Sequence, residues 1–177
     1  MTDQRTPTPG QTIGPFFHFA LAFDRGHELV APTTSGAVRF HGSLYDGAGQ
    51  PIPDALIEIR QADAAGNVPA VEGSRHRDGV FTGWGRCATD PVGRYSFTTI
   101  EPGSPFIAVA VFARGLMNRL FTRAYLPGVA DSFLDALPSE RRATLVALRE
   151  PNGDLLFDIR LQGGAETVFV TYPRHSE

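Results

Sequence analysis

Polar and apolar positions alternate along most of the chain after residue 35, with the two-residue period of strands. AVRFHGSLY puts Val38, Phe40, Gly42 and Leu44 on one face, and ALIEIRQA does the same with Ala55, Ile57 and Ile59. Both patterns predict half-buried strands. RYSFTTI repeats the alternation with Tyr95, Phe97 and Thr99, while LFTRAYL sets Phe121, Arg123 and Tyr125 against Leu120, Thr122, Ala124 and Leu126. FIAVAVFA is apolar throughout, which predicts a central strand covered on both sides. LREPNGDLLFDIRL predicts a hairpin turning on Asn152 and Gly153, residues that readily take positive φ, and ETVFVTY predicts a last strand closing the sheet. One helical stretch interrupts the series: SERRATLVAL, beginning at the N-cap Ser139 behind the breaker Pro138.

Two segments fall outside this pattern. Residues 1–35 are rich in Pro and Gly but carry Phe16, Phe17, Phe19 and Leu21, too apolar for a solvated tail. They predict an arm lying extended over an apolar surface, on its own domain or on a partner chain. The stretch from Asp63 to about Trp84 reads as a long irregular loop, of the kind that is functional or meets another chain. Short strands at this spacing, with Gly and Pro turns and little helix, predict an all-β fold: a β-sandwich with an extended N-terminal arm and one short helix. The chain is expected to form a single domain over residues 1–177, with residues 1–35 as the arm.

Composition narrows the class. Of the 177 residues 42% are hydrophobic and 20% charged, and the net charge is -3, which disfavours a nucleic-acid binder or a polybasic membrane anchor. No window approaches the roughly 18 to 20 apolar residues of a membrane span, and the N-terminus has neither a basic nor an apolar leader region. A cytoplasmic location is expected. The lone Cys87 excludes an internal disulfide and reads as a buried structural thiol. All 16 basic residues are arginine, a residue suited to bidentate recognition of carboxylates and to interfaces.

Little in the residues themselves announces chemistry. The five histidines, His18, His27, His41, His76 and His175, lack metal-ligand spacing. His41 reads as a strand residue at the core edge or surface, and His76 lies between two arginines in a solvated loop. Asp46, Asp54, Asp63, Asp90 and Glu101 all sit in or beside turn signals, where local turn hydrogen bonding accounts for them. On these residues alone a β-sandwich binding module without enzymatic activity stands as an alternative to an enzyme.

Longer motifs carry more. The lead-in P-x-P-x-A-x-[IVL]-E-[IV] followed by Gln61 and Ala62, the block GRCATDPVGRYSF-x-TI-x-PG and the N-terminal TPGQTIGPFF occur in one order with VFARGLMNRLFTRAYLPG and FDIRLQGGAETVFV. This series resembles the intradiol ring-cleaving dioxygenases over nearly the whole chain, and in particular the α-type subunits of their two-chain members. The resemblance implies a partner, a catalytic β subunit that holds a non-haem Fe(III) through two tyrosines and two histidines. At the equivalent positions this chain has Val68 and Pro105 for the tyrosines, and Ala108 and Ala110 for the histidine pair. Aliphatic side chains offer a hard ferric ion neither anionic oxygen nor imidazole, so no metal ligand and no catalytic residue is expected on this chain.

The resemblance further implies an active site shared with the partner. Thr12, Gly14 and Pro15 of the arm, with Arg123, would form part of the substrate-pocket wall. Gly and Pro give a narrow backbone that can lie close to an aromatic ring, and a guanidinium complements a substrate carboxylate. The implied reaction of the assembly is O2-dependent cleavage of protocatechuate (3,4-dihydroxybenzoate) to 3-carboxy-cis,cis-muconate. The isolated chain is expected to be inactive.

Overall fold

Two antiparallel-rich sheets face each other, and the alternation in the sequence decides which side chains lie between them. The computed structural model describes residues 21–70 and 80–171. Among these the strands are β1 (Ala37–Tyr45), β2 (Leu56–Arg60), β3 (Trp84–Ala88), β4 (Arg94–Ile100), β5 (Phe106–Phe112), β6 (Leu120–Tyr125), β7 (Leu148–Arg149), β8 (Leu155–Leu156) and β9 (Ile159–Arg160). The helices are short, α1 (Ser132–Asp135) and α2 (Ser139–Ala143). One sheet runs β4-β1-β8-β7 with β9 also on β1, and the other runs β3-β2-β5-β6. No helix among the described residues is long and apolar enough to cross a membrane.

The core between the sheets is the predicted one. Phe40 and Leu44 of β1 and Tyr95 and Phe97 of β4 meet Ile57 and Ile59 of β2 and Ile107, Val109 and Val111 of β5, all in one buried cluster. Two buried polar residues answer each other: Thr99 donates to Gln61 Oε1 at 2.8 Å, and Gln61 Nε2 donates to the Ile100 carbonyl at 2.8 Å. A smaller cluster of Tyr125, Leu134 and Leu145 lies under the helices.

Three reversals are built alike, on Asp46, Asp63 and Asp90. Each carboxylate accepts from the amides two and four residues on: Ala48 and Gln50, Ala65 and Asn67, Val92 and Arg94, at 2.8 to 3.0 Å. The intervening Gly49, Gly66 and Gly93 have φ of 77°, 87° and 75°, a region open to glycine. These amide donors hold the carboxyls of Asp63 and Asp90 below their ordinary range. Asp54 pairs with Arg114 and Glu101 with Arg149. The turn and surface roles expected of all five acids are the ones they fill.

β8 and β9 continue one another along the same edge of β1, both parallel to it, with a break at Phe157 and Asp158. Phe157 N donates to His41 O at 2.7 Å, Asp158 Oδ1 accepts from Ser43 N at 2.9 Å, and the Tyr95 hydroxyl donates to the Phe157 carbonyl. That carbonyl turns over Gly42, where an added Cβ would lie 2.0 Å from it. Gly42→Ala is therefore expected to destabilise the chain by about 1–3 kcal/mol through overpacking, read as a lowered urea midpoint. An unchanged midpoint would mean that the break shifts freely.

Several expectations need correction. The irregular segment from Asp63 ends where a strand begins at Trp84, and Trp84–Ala88, given no element in the sequence pattern, is that strand; at its Gly85 a Cβ would stand 2.5 Å from Leu29 Cδ1. β5 is central in its sheet but covered on one side: Ile107, Val109 and Val111 are buried, while Phe106, Ala108, Ala110 and Phe112 are half-buried on the outer face. Two helices replace the expected one. Pro138, not Ser139, is the N-cap of α2, which stops at Ala143, and Thr144 Oγ1 donates back to Arg141 O. α1 is capped by Asp131. In the β7–β8 hairpin only Gly153 takes positive φ; Asn152 instead ties Asp154 through its side chain. The segment after Gly164 forms no ladder up to residue 171; single bonds link Thr167 N to Arg160 O and Val170 N to Phe121 O.

Residues 21–35 run along their own domain. Leu29 is buried in the core, its N–H bonded to Thr98 O at 2.8 Å, and Arg86 N donates to Gly26 O at 2.8 Å.

Candidate functional site

Strand register arranges the outer face of the β3-β2-β5-β6 sheet in rows. One row is Trp84, Arg60, Ala108 and Arg123; the next is Arg86, Glu58, Ala110 and Phe121. Two alanine methyls between long neighbours leave a shallow depression of about 430 Å³, bordered by Glu58, Arg60, Trp84 and Phe121. Glu58 is answered by Arg86, whose Nε donates to Oε1 at 2.7 Å, and the same guanidinium lies 5.0 Å from the Trp84 ring centre. Phe23 stacks on Trp84 at 5.8 Å. The row containing Ala108 has two arginines and no acid.

Arg123 stands at the β6 end of that row between two rings and a tyrosine hydroxyl. Its guanidinium carbon is 4.6 Å from the Phe106 ring centre and 5.1 Å from that of Phe133, one ring from β5 and the other from α1. Nη1 donates to the Tyr125 hydroxyl at 3.1 Å, and that hydroxyl donates to Asp131 Oδ1 at 2.8 Å. Asp131 Oδ1 also accepts from Phe133 N at 3.0 Å and Leu134 N at 3.2 Å. The Tyr125 bond, the two amides and the nearby guanidinium hold the Asp131 carboxyl below its ordinary range. Burial raises the Tyr125 phenol, and Asp131 adds to the rise.

Val68, Pro105, Ala108 and Ala110, the positions that the resemblance sets against iron ligands, carry no donor side chain. Ala108 and Ala110 line the depression. Val68 is 61% exposed in a loop tied to the sheet where Arg60 Nη2 donates to Pro69 O at 3.0 Å. Pro105 leads into β5, with its carbonyl accepting from Leu126 N at 2.9 Å. A methyl, an isopropyl and a pyrrolidine do not fit a ferric ion. Thr12, Gly14 and Pro15 lie outside the described residues, as do His18, His76 and His175.

Elsewhere, two expectations acquire geometry. Cys87 is half-buried, donates to Ala88 O at 3.2 Å, and burial raises its thiol away from the reactive range. His41 meets Glu150 at 2.9 Å, and with Asp154 these groups place ligand atoms within 4.8 Å of one another. Arg39 occupies the same corner, its Nε 3.2 Å from Asp154 Oδ2, so a protein cation already meets that negative charge. Tyr95, buried in the core and bonded to a carbonyl, is far above its ordinary range and unsuited to ligation.

The sequence pattern groups Arg123 with Phe121 and Tyr125, as the strand does, and leaves out Asp131 and Phe133. The signal was present: an Asp preceding SFL after the PG turn is an N-cap pattern.

Comparison with known proteins agrees with this fold. The family model described as Dioxygenase matches residues 14–128. The chain is 38% identical to the protocatechuate 3,4-dioxygenase alpha chain of Burkholderia cepacia over 92% of this chain and 95% of that one. It is 32% identical to the beta chain from the same organism over 83% of this chain and 69% of that one. The solved dioxygenase domain of a carbohydrate-binding fusion protein from Streptomyces sp. SirexAA-E superposes with a TM-score of 0.60 at 27% identity, covering 90% of this chain and all of that domain. On these matches, the chain belongs to the intradiol ring-cleavage dioxygenase family.

Proposed function

We propose that this chain is the α subunit of an α/β protocatechuate 3,4-dioxygenase, a partner that shares an active site without ligating its iron. The observation that carries the reading is the end-to-end likeness to an alpha chain, joined to the aliphatic side chains at Val68, Pro105, Ala108 and Ala110. Intradiol dioxygenases use non-haem iron; in this reading the β subunit holds it as Fe(III), and the isolated α chain has no activity. The assembly takes protocatechuate and O2 and opens the ring between the hydroxyl-bearing carbons to give 3-carboxy-cis,cis-muconate.

This chain contributes one domain, residues 1–177, with residues 1–35 as its interface arm. Thr12, Gly14 and Pro15 on the arm, with Arg123, line the pocket wall that the β subunit completes. The backbone of Gly14 and Pro15 packs on the substrate ring, and the guanidinium of Arg123 faces the carboxylate. The place of action is the cytoplasm.

The test is iron content and ring-cleavage activity of the chain expressed alone and together with the β subunit from the same genome. Iron and turnover only on co-expression are expected. A tyrosinate-coloured, iron-bearing, active preparation of this chain alone would overturn the reading in favour of a self-sufficient dioxygenase. A stable monomer that never joins the β subunit would favour the binding module instead.

A further inference from the structure

Arg123 carries a charge on a flexible stem, and a charge selects a carboxylate only if it is held in one place. We infer that Asp131 and Tyr125 are positioning residues for Arg123, fixing its guanidinium so that the site selects aromatic substrates bearing a carboxylate. The inference rests on the reading that Arg123 faces the shared pocket; the groups that hold it there are given by the geometry.

Donor logic makes the chain of bonds directional. A guanidinium has donors only, so the Tyr125 oxygen accepts from Arg123 and its one proton is left to donate to Asp131. Asp131 also caps α1 through the amides of Phe133 and Leu134. That cap sets where Phe133 stands, and Phe133 is one of the two rings enclosing the guanidinium. The other, Phe106, packs at 5.3 Å on the ring of Tyr125 itself. Asp131 thus holds one ring and the hydroxyl, and Tyr125 supports the second ring. The row beside Arg123 contains the Ala108 methyl and then Arg60.

The α/β complex with Tyr125→Phe, Asp131→Ala, Asp131→Asn or Arg123→Ala should be assayed for KM and kcat on protocatechuate and on catechol, the same ring without the carboxylate. Tyr125→Phe is expected to raise KM for protocatechuate about tenfold, the worth of a hydrogen bond to a charged group, with kcat on protocatechuate and both constants on catechol unchanged. Asp131→Ala should do at least as much. Asp131→Asn, which keeps an acceptor oxygen for the tyrosine and for the cap, should recover most of the loss.

If Arg123→Ala shifts the ratio of the two KM values and Tyr125→Phe does not, positioning is refuted while Arg123 keeps its role. If neither shifts the ratio, the reading of Arg123 is refuted and positioning falls with it. Equal losses on both substrates from Tyr125→Phe would make the network purely structural and also overturn the inference.

Discussion

Phe40→Ala is expected to cost about 3–5 kcal/mol of folding stability, the range for removing a fully buried aromatic side chain. Phe40 has no exposed surface, and its ring meets those of Tyr95, Phe97 and Phe157 at 6.0, 6.3 and 6.2 Å. Those partners come from β4 and from the break between β8 and β9, on the two sides of β1. β1 is the strand that holds its sheet together, with β4 on one edge and β8 and β9 on the other. Collapse into the space left behind is resisted from both edges. Tyr95 cannot swing inward without giving up its hydroxyl bond to Phe157 O, and Phe97 is fixed opposite Phe40 by the β1–β4 register. The cost should therefore fall at the upper end for a cavity that relaxes poorly, measured as a drop in the urea midpoint at unchanged slope. A loss under about 1 kcal/mol would show that the sheet closes over the gap and that the ring cluster is not central to the core.

What could be read from the sequence, and what could not, divides along a physical line. β1, β2, β4 and β6 were legible because each has one face in the core and one outside it, and alternation records that difference directly. β5 misled for the same reason: Ala108 and Ala110 are apolar but small, and a short apolar side chain reads as buried whether or not another layer covers it. Its outer face is the depression. β3 was hidden by Gly85, whose missing side chain serves Leu29 and Phe97 from elsewhere in the chain, a contact no local window contains. The turns on Asp46, Asp63 and Asp90 were legible because their bonds close within five residues. The site divides in the same way. That Val68, Pro105, Ala108 and Ala110 carry no donor side chain is read from residue identity alone. The group around Arg123 does not, because its members come from β5, β6 and the cap of α1, and only folding places Phe106, Tyr125, Asp131 and Phe133 around one guanidinium.

Removing that guanidinium is the second large effect expected, and it must be separated from the packing lost with it. Arg123→Ala takes away a cation that two aromatic faces stabilise, each contact worth about 0.5–2 kcal/mol depending on its hydration. That loss loosens Phe106 and Phe133 and falls on every substrate alike. If the guanidinium also faces a substrate carboxylate across the subunit boundary, truncation leaves that carboxylate desolvated and unpaired, at about 2–5 kcal/mol. Only this second part depends on substrate charge. In the α/β complex, kcat/KM for protocatechuate should accordingly fall by roughly 30-fold or more relative to the change seen with catechol. Arg123→Met sharpens the comparison, because it keeps an apolar stem between the rings and removes the charge. It should retain most of the activity of the native complex on catechol and lose that on protocatechuate to nearly the extent of the alanine variant. Parallel losses on both substrates in the alanine variant, with recovery of both in the methionine variant, would assign Arg123 to packing alone and leave the substrate carboxylate to the β subunit.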